Sequence, residues 1–216
     1  MTSVLLSDQD AERSTDLLCH ELLLRLSGRL PDELIWRLRD WLAAGSRIAV
    51  STTLPRELLR HRVGLTEQEC DLLAAAVRDW GASRRALDAV LPVDGPDQPA
   101  TDFTATPPAI GLAELSMLAV VRGHPGCREL LQTRRAAVVP VGARAARRDQ
   151  RMVLVRGGER PWLLTGTLQR LLRAHGDRTP IVEVLDAHGE PTDYHRAAVR
   201  TATVLWRGPT AAPTRA

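Results

Sequence analysis

The sequence predicts an α+β protein, an N-terminal all-α helical bundle followed by a helix-covered antiparallel β-sheet module. Three observations carry this. Residues 1–93 place their apolar side chains at helical spacing between Gly and Pro stops. Residues 94–110 are rich in proline and acid and hold little to bury. Beyond them, short β-branched runs alternate with amphipathic segments. The expected division is a helical domain over 1–93, a Pro-rich linker over 94–110, an Arg-rich α+β domain over 111–207 and a flexible tail over 208–216.

In the first domain, residues 10–29 form a strongly apolar helix, with Gly28 as its stop. Leu22, Leu23 and Leu24 wrap too much of this helix for one-sided packing, which predicts a central place in the bundle or burial against another chain. Pro31, Asp32 and Glu33 then open a helix that runs to Ala44, with acids beside the positive helix end and Gly45 at C′. Residues 55–62 make a shorter helix; the β-branched run 48–53 before them fits strand and helix alike. Thr66 and Glu69 have the spacing of a capping box ahead of a helix ending at Trp80-Gly81, and residues 83–91 form a last helix. Trp36, Trp41 and Trp80 read as core anchors.

In the second domain, residues 112–122 and 127–135 read as helices separated by Gly-His-Pro-Gly. Residues 137–141 and 152–156 read as strands, 165–174 as an amphipathic helix, 181–185 as a strand, and 198–206 as a final strand. Two hairpins and a helix in this order suggest an antiparallel sheet covered on one face by helices.

Composition excludes several chemistries. There is no Lys, so all 29 basic residues are Arg, and there is no Asn. A Walker A loop, a Schiff-base lysine and a Ser–Lys dyad are therefore ruled out, as are an N-glycosylation acceptor and a Cys-His-Asn triad. Cys19, Cys70 and Cys127 form no CxxC and suit neither a disulfide framework nor a zinc knuckle. The first 16 residues carry acids and no basic n-region, and no apolar run is long enough to span a bilayer, so a cytoplasmic, membrane-free protein is expected.

Charge divides with the fold. Residues 1–110 hold 12 Arg and 17 acids, and residues 111–216 hold 17 Arg and 9 acids, so −5 stands against +8 within the net +3. Such asymmetry points to an anionic partner, or to attraction between the halves. The densest cluster comprises Arg134, Arg135, Arg144, Arg147, Arg148 and Arg151, with Asp149 the one acid among them. Helix, turn, helix, strand, basic loop and strand is the order found at the end of a winged helix. There, Arg128, Gln132 and Arg135 would face base edges, and the loop arginines would grip phosphates. The plainer reading is a charged surface loop in a chain whose only basic residue is Arg.

Other segments carry less. Residues 186–195 hold two imidazoles, His188 and His195, with Asp186, Glu190 and Asp193, a set able to share acid/base or metal chemistry, yet no ligand spacing is present and a polar turn between strands accounts for it. His124 beside Cys127 could pair a base with a thiol at a helix start, against the reading of a buried Cys after a turn. Val155-Arg156-Gly157-Gly158 reads as a tight turn, not a phosphate loop, and Arg160-Pro161-Trp162 as a surface feature. The function expected is that of a non-enzymatic regulatory or adaptor protein. Its Arg-rich half binds nucleic acid or an acidic protein through Arg128, Arg134, Arg135, Arg144, Arg147, Arg148 and Arg151, and its N-terminal helices can pair with a second copy. No catalytic residue, metal or cofactor is expected. The alternative is an enzyme built on the segment around 186–195.

Overall fold

The computed structural model describes residues 2–96, 101–106, 110–136 and 150–209, with side chains from residue 12 onward. The strand expected at 137–141, the loop with Arg144, Arg147 and Arg148, parts of the 94–110 linker and the tail beyond 209 lie outside the described residues. The chain forms two compact units. One comprises Met1–Ala100 with Arg160–Thr167, the other Thr101–Glu159 with Leu168–Ala216. The class is α+β.

The first unit is built of α1 (Thr2–Arg25), α2 (Asp32–Ala43), α3 (Arg47–Arg60), α4 (Glu67–Val77), a 3₁₀ turn at Arg78–Trp80 and α5 (Arg84–Asp88). Leu22 and Leu23 of α1 and Leu26 just after it are fully buried, as are Leu38, Leu54 and Leu58 of the helices around it. Gly45 follows α2 at φ +72°, the left-handed conformation that releases the chain into α3. The undecided run 48–53 is helix, continuous through Pro55. Val50, Leu54 and Leu58 recur every four residues and are all fully buried, so burial along one helix face outweighs β-propensity and the donor that Pro55 lacks.

The expected capping box forms. The Thr66 hydroxyl accepts from the Glu69 N–H (3.3 Å), and the Glu69 carboxylate accepts from the Thr66 N–H (3.0 Å). Glu69 also meets the Arg29 guanidinium at 2.6 Å with both side chains nearly sealed from solvent, fixing the turn after α1 to the start of α4. Arg39, 2% exposed, donates to Ser27 Oγ (2.8 Å) and to the Leu23 carbonyl (3.3 Å) near the C-terminal end of α1, where helix carbonyls lack intrahelical donors. Trp80 is buried and lies beneath the Arg47 guanidinium, whereas Trp36 and Trp41 are only half-buried. A single parallel bridge joins Leu65 and Pro92, the one β-type pairing among the described residues of 1–93.

The second unit contains β1 (Phe103–Ala105), α6 (Leu112–Gly123), β2 (Cys127–Arg135), β3 (Gln150–Gly157), α7 (Pro161–Ala174), β4 (Ile181–Leu185), α8 (Asp193–Thr201) and β5 (Thr203–Arg207). The sheet is mixed. Strand β2 pairs antiparallel with β3 on one side and with β1 and β5 on the other, and β3 pairs parallel with β4 through α7. The first half of α7 belongs to the first unit, where Trp162 joins the apolar core.

Three elements differ from expectation. Residues 127–135 are strand, not helix. Glu, Leu, Gln and Arg favour helix locally, but Leu130 to Thr133 are buried in succession, which one helix face cannot do and a strand covered on both sides can. Residues 193–201 are helix and only 203–207 strand, because Thr192 caps the turn by accepting the His195 N–H. Helix α7 begins at Pro161, four residues earlier than the amphipathic pattern indicates, and Trp162 is core, not surface.

Register sorts the side chains. Leu130, Gln132, Arg134 and Arg151, with Val153 and Val155, point to one face; there Arg151 meets Glu114 of α6 and Asp177 after α7. Arg135, Thr133, Met152 and Glu183 point to the other, where α8 lies. Helices therefore cover both faces, not one.

Candidate anion-binding surface

Among the described residues, the arginines singled out by the sequence are divided: Arg134 and Arg151 are cross-strand neighbours, whereas Arg135 and Arg128 lie apart from them. In a strand, successive side chains point to opposite faces, so the sheet separates Arg134 from Arg135. Arg135 is buried and donates to Tyr194 Oη (3.1 Å) and Gln150 Oε1 (2.9 Å), a structural cation holding α8 to β2 and β3. Arg151, partly exposed, faces Glu114 at 3.4 Å and Asp177 at 3.7 Å. Arg134 is exposed and its cross-strand partner is Arg151. Arg128 is exposed at the opposite end of β2. Arg144, Arg147 and Arg148 lie outside the described residues, in the segment that joins β2 to β3.

This overturns the winged-helix order. The segment expected to be the recognition helix is the central strand, and two of its proposed base-reading side chains, Gln132 and Arg135, are buried within the sheet's two layers. Among the described residues, the solvent-facing arginines at this end of β2 and β3 are Arg134, part of Arg151, and Arg178, which directly follows Asp177.

The segment 186–195 is also resolved into separate roles. His188 is exposed and its Nε2 lies 2.9 Å from Arg128 Nη2. Guanidinium has no acceptor, so in this contact His188 Nε2 is the accepting atom. The Asp186 carboxylate turns back to take the His188 N–H at 3.0 Å. His195 is buried in α8, 3.2 Å from Glu183 Oε2 through Nε2 and 2.7 Å from Thr192 Oγ1 through Nδ1. The two histidines thus serve different partners. Among the described residues, no group of three or more His, Cys, Asp or Glu is placed to hold a metal ion.

Cys127 starts a strand, so no helix terminus acts on its thiol; burial pushes the thiol up to about 11. His124 Nε2 sits 2.5 Å from the Glu159 carbonyl, engaged with backbone. Gly157 and Gly158 form a turn whose amides are committed: Gly158 N–H donates to Gly126 O (3.1 Å) and Glu159 N–H to Pro125 O (3.0 Å). Burial likewise raises the Cys19 and Cys70 thiols.

Sequence reasoning missed the Glu183–His195 pair, although a signal was present. Glu183 is the one charge in the otherwise apolar run Ile181-Val182-Glu183-Val184-Leu185, and a carboxylate in a strand buried on both faces calls for a buried partner. It also missed the exposed Arg122, Arg178 and Arg200, which no run of arginines announces. No described helix is long and apolar enough to cross a membrane. No protein-family model, curated protein or solved structure matches the chain.

Proposed function

We propose that this chain is a non-catalytic regulatory or adaptor protein of the cytoplasm whose Arg-rich C-terminal half binds an anionic partner, with nucleic-acid phosphates as the candidate. One observation supports the reading above others. Arg122, Arg134, Arg178 and Arg200 of the second unit are exposed and make no ion pair among the described residues. Glu114, Glu129, Asp177 and Asp193 of that unit are each engaged by an Arg side chain, while the exposed Glu159, Asp186 and Glu190 follow the ends of β3 and β4 that lie away from Arg134. The positive charge beside Arg134 is thus left without a neighbouring free acid among the described residues, which favours phosphate contacts without base reading. Arg134 stands at the end of β2 beside Arg151 of β3, and the sequence between these strands holds Arg144, Arg147 and Arg148. Self-association through the N-terminal helices is part of the proposal, supported by exposed Leu17 of α1 and Ile48 of α3.

The test is affinity for random duplex and single-stranded oligonucleotides at several salt concentrations. Wild type is expected to bind with a steep loss as salt rises. Changing Arg144, Arg147 and Arg148 together to Ala is expected to reduce the salt slope by roughly one per lost phosphate contact and to leave the melting temperature unchanged. No binding by wild type at low salt ends the nucleic-acid reading. Binding that survives the triple change moves the site to Arg128 and Arg134. Catalysis by His188 and His195 would require them to converge on one pocket; each instead has its own partner, Arg128 and Glu183.

A further inference from the structure

We infer that the outer side of β5 is a docking edge for an extended acidic segment of a partner protein, added to the sheet as a further strand. Strand β5 pairs with β2 along one side only, and among the described residues nothing pairs with its other side. A row of backbone N–H and C=O groups therefore faces outward, and an incoming strand satisfies such groups in a way that a helix or a folded surface cannot. The side chains suit that use. Val204 is 41% exposed, and Leu205 and Trp206 are half-buried beside it. The register shift between Leu130 and Leu131 leaves Leu205 without a partner in β2, so this side chain stands at a bulge. Strand β5 has neither proline nor acid, and its only charge is Arg207 at the end.

Charge defines the occupant. From Tyr194 to Ala216 the chain has no Asp or Glu and four arginines, Arg196, Arg200, Arg207 and Arg215. Arg200, exposed and without an ion pair among the described residues, lies just before β5; Arg207, its side chain 69% exposed, closes it beside Glu129 at 3.1 Å. An added strand thus has Arg200 before one end and Arg207, paired with Glu129, at the other, and with no acid on β5 itself this favours carboxylates at its solvent-facing positions and apolar residues at the others. A second copy of this chain would bring the same arginines to the edge, and like charges across a strand pair are destabilising. This edge is distinct from the hairpin-end arginines, so its test is independent of nucleic-acid binding.

The probe is a short synthetic peptide of alternating valine and glutamate, titrated against the full chain. Amide hydrogen exchange should slow at 203–207, with saturable binding that weakens as salt rises. A peptide of equal charge with a central proline, which removes a backbone donor, should bind roughly tenfold more weakly, a difference of about 1.4 kcal/mol. Val204→Asp, at an exposed position, should keep the melting temperature and lower affinity for the alternating peptide. Equal binding of the two peptides would reduce the effect to charge and overturn the inference. So would protection located away from β5, or no protection at millimolar peptide. A chain that dimerises on concentration and is made monomeric by Val204→Asp would show that the occupant is a second copy, which also overturns it.

Discussion

Glu183 Oε2 and His195 Nε2 meet at 3.2 Å with each side chain 1% exposed, joining β4 to α8 beneath the surface. Removing one member of a buried pair leaves the other desolvated without that partner. His195→Ala and Glu183→Ala are each expected to cost about 3–5 kcal/mol in denaturant unfolding. A double-mutant cycle should return a coupling of about 0.5–3 kcal/mol. Single changes below about 1 kcal/mol would mean that α8 is held by its other contacts, Arg135 to Tyr194 and Thr133 to Thr201.

Leu23 is fully buried in α1. Leu23→Asp places an unpaired carboxylate in the helical core, and a loss of at least about 3 kcal/mol is expected. An unchanged melting temperature would contradict the packing of α1 described above.

Gly157 adopts φ +79°, and a Cβ there would stand 2.4 Å from the Gly126 carbonyl oxygen. Both strain and backbone collision oppose substitution, so Gly157→Ala should destabilise by about 1–3 kcal/mol. Gly123 at the end of α6 has nothing within 4 Å and no positive φ. Gly123→Ala is the control, expected to be neutral or to stabilise by up to about 1 kcal/mol. Equal effects at the two positions would refute the close approach of Gly157 to Gly126.

Burial raises the Cys127 thiol from 9.0 to about 11. A raised folded-state value favours the neutral thiol in the native protein, so its contribution to stability is complete below pH about 9. That contribution is lost as pH climbs through about 11. Alkylation of Cys127 in the native protein should be slow at neutral pH and accelerate across that window. Fast reaction near neutrality would indicate a thiolate, and with it the activated thiol that the strand geometry argues against.

The parts of the fold that could be read from sequence are those set by neighbours in the chain. Thr66 and Glu69 cap a helix wherever they stand three apart, and Gly45 and Gly81 end helices by their own backbone freedom. Strands β3 and β4 were visible in their β-branched runs. Residues 127–135 were not, because their local preference is helical and their state is decided by β3 and by β5, about seventy residues downstream. Adjacency in sequence is not adjacency in space: Arg134 and Arg135 leave the sheet in opposite directions, and Arg135 is spent on Tyr194. Helix α7 began earlier than its pattern because Trp162 is recruited by the apolar core of the first unit.

Strand β2 is bonded to β1, β3 and β5, elements spread from Phe103 to Arg207. During synthesis, which proceeds from the N-terminus, β2 therefore emerges long before the strand that completes its second edge. Until β5 has been made and released, Glu129 to Gln132 lack their partner on that edge, and such waiting edges are where non-native pairing begins. Truncating the chain before β5 would therefore do more than shorten a terminus, since it would leave Glu129 to Gln132 as a permanent open border.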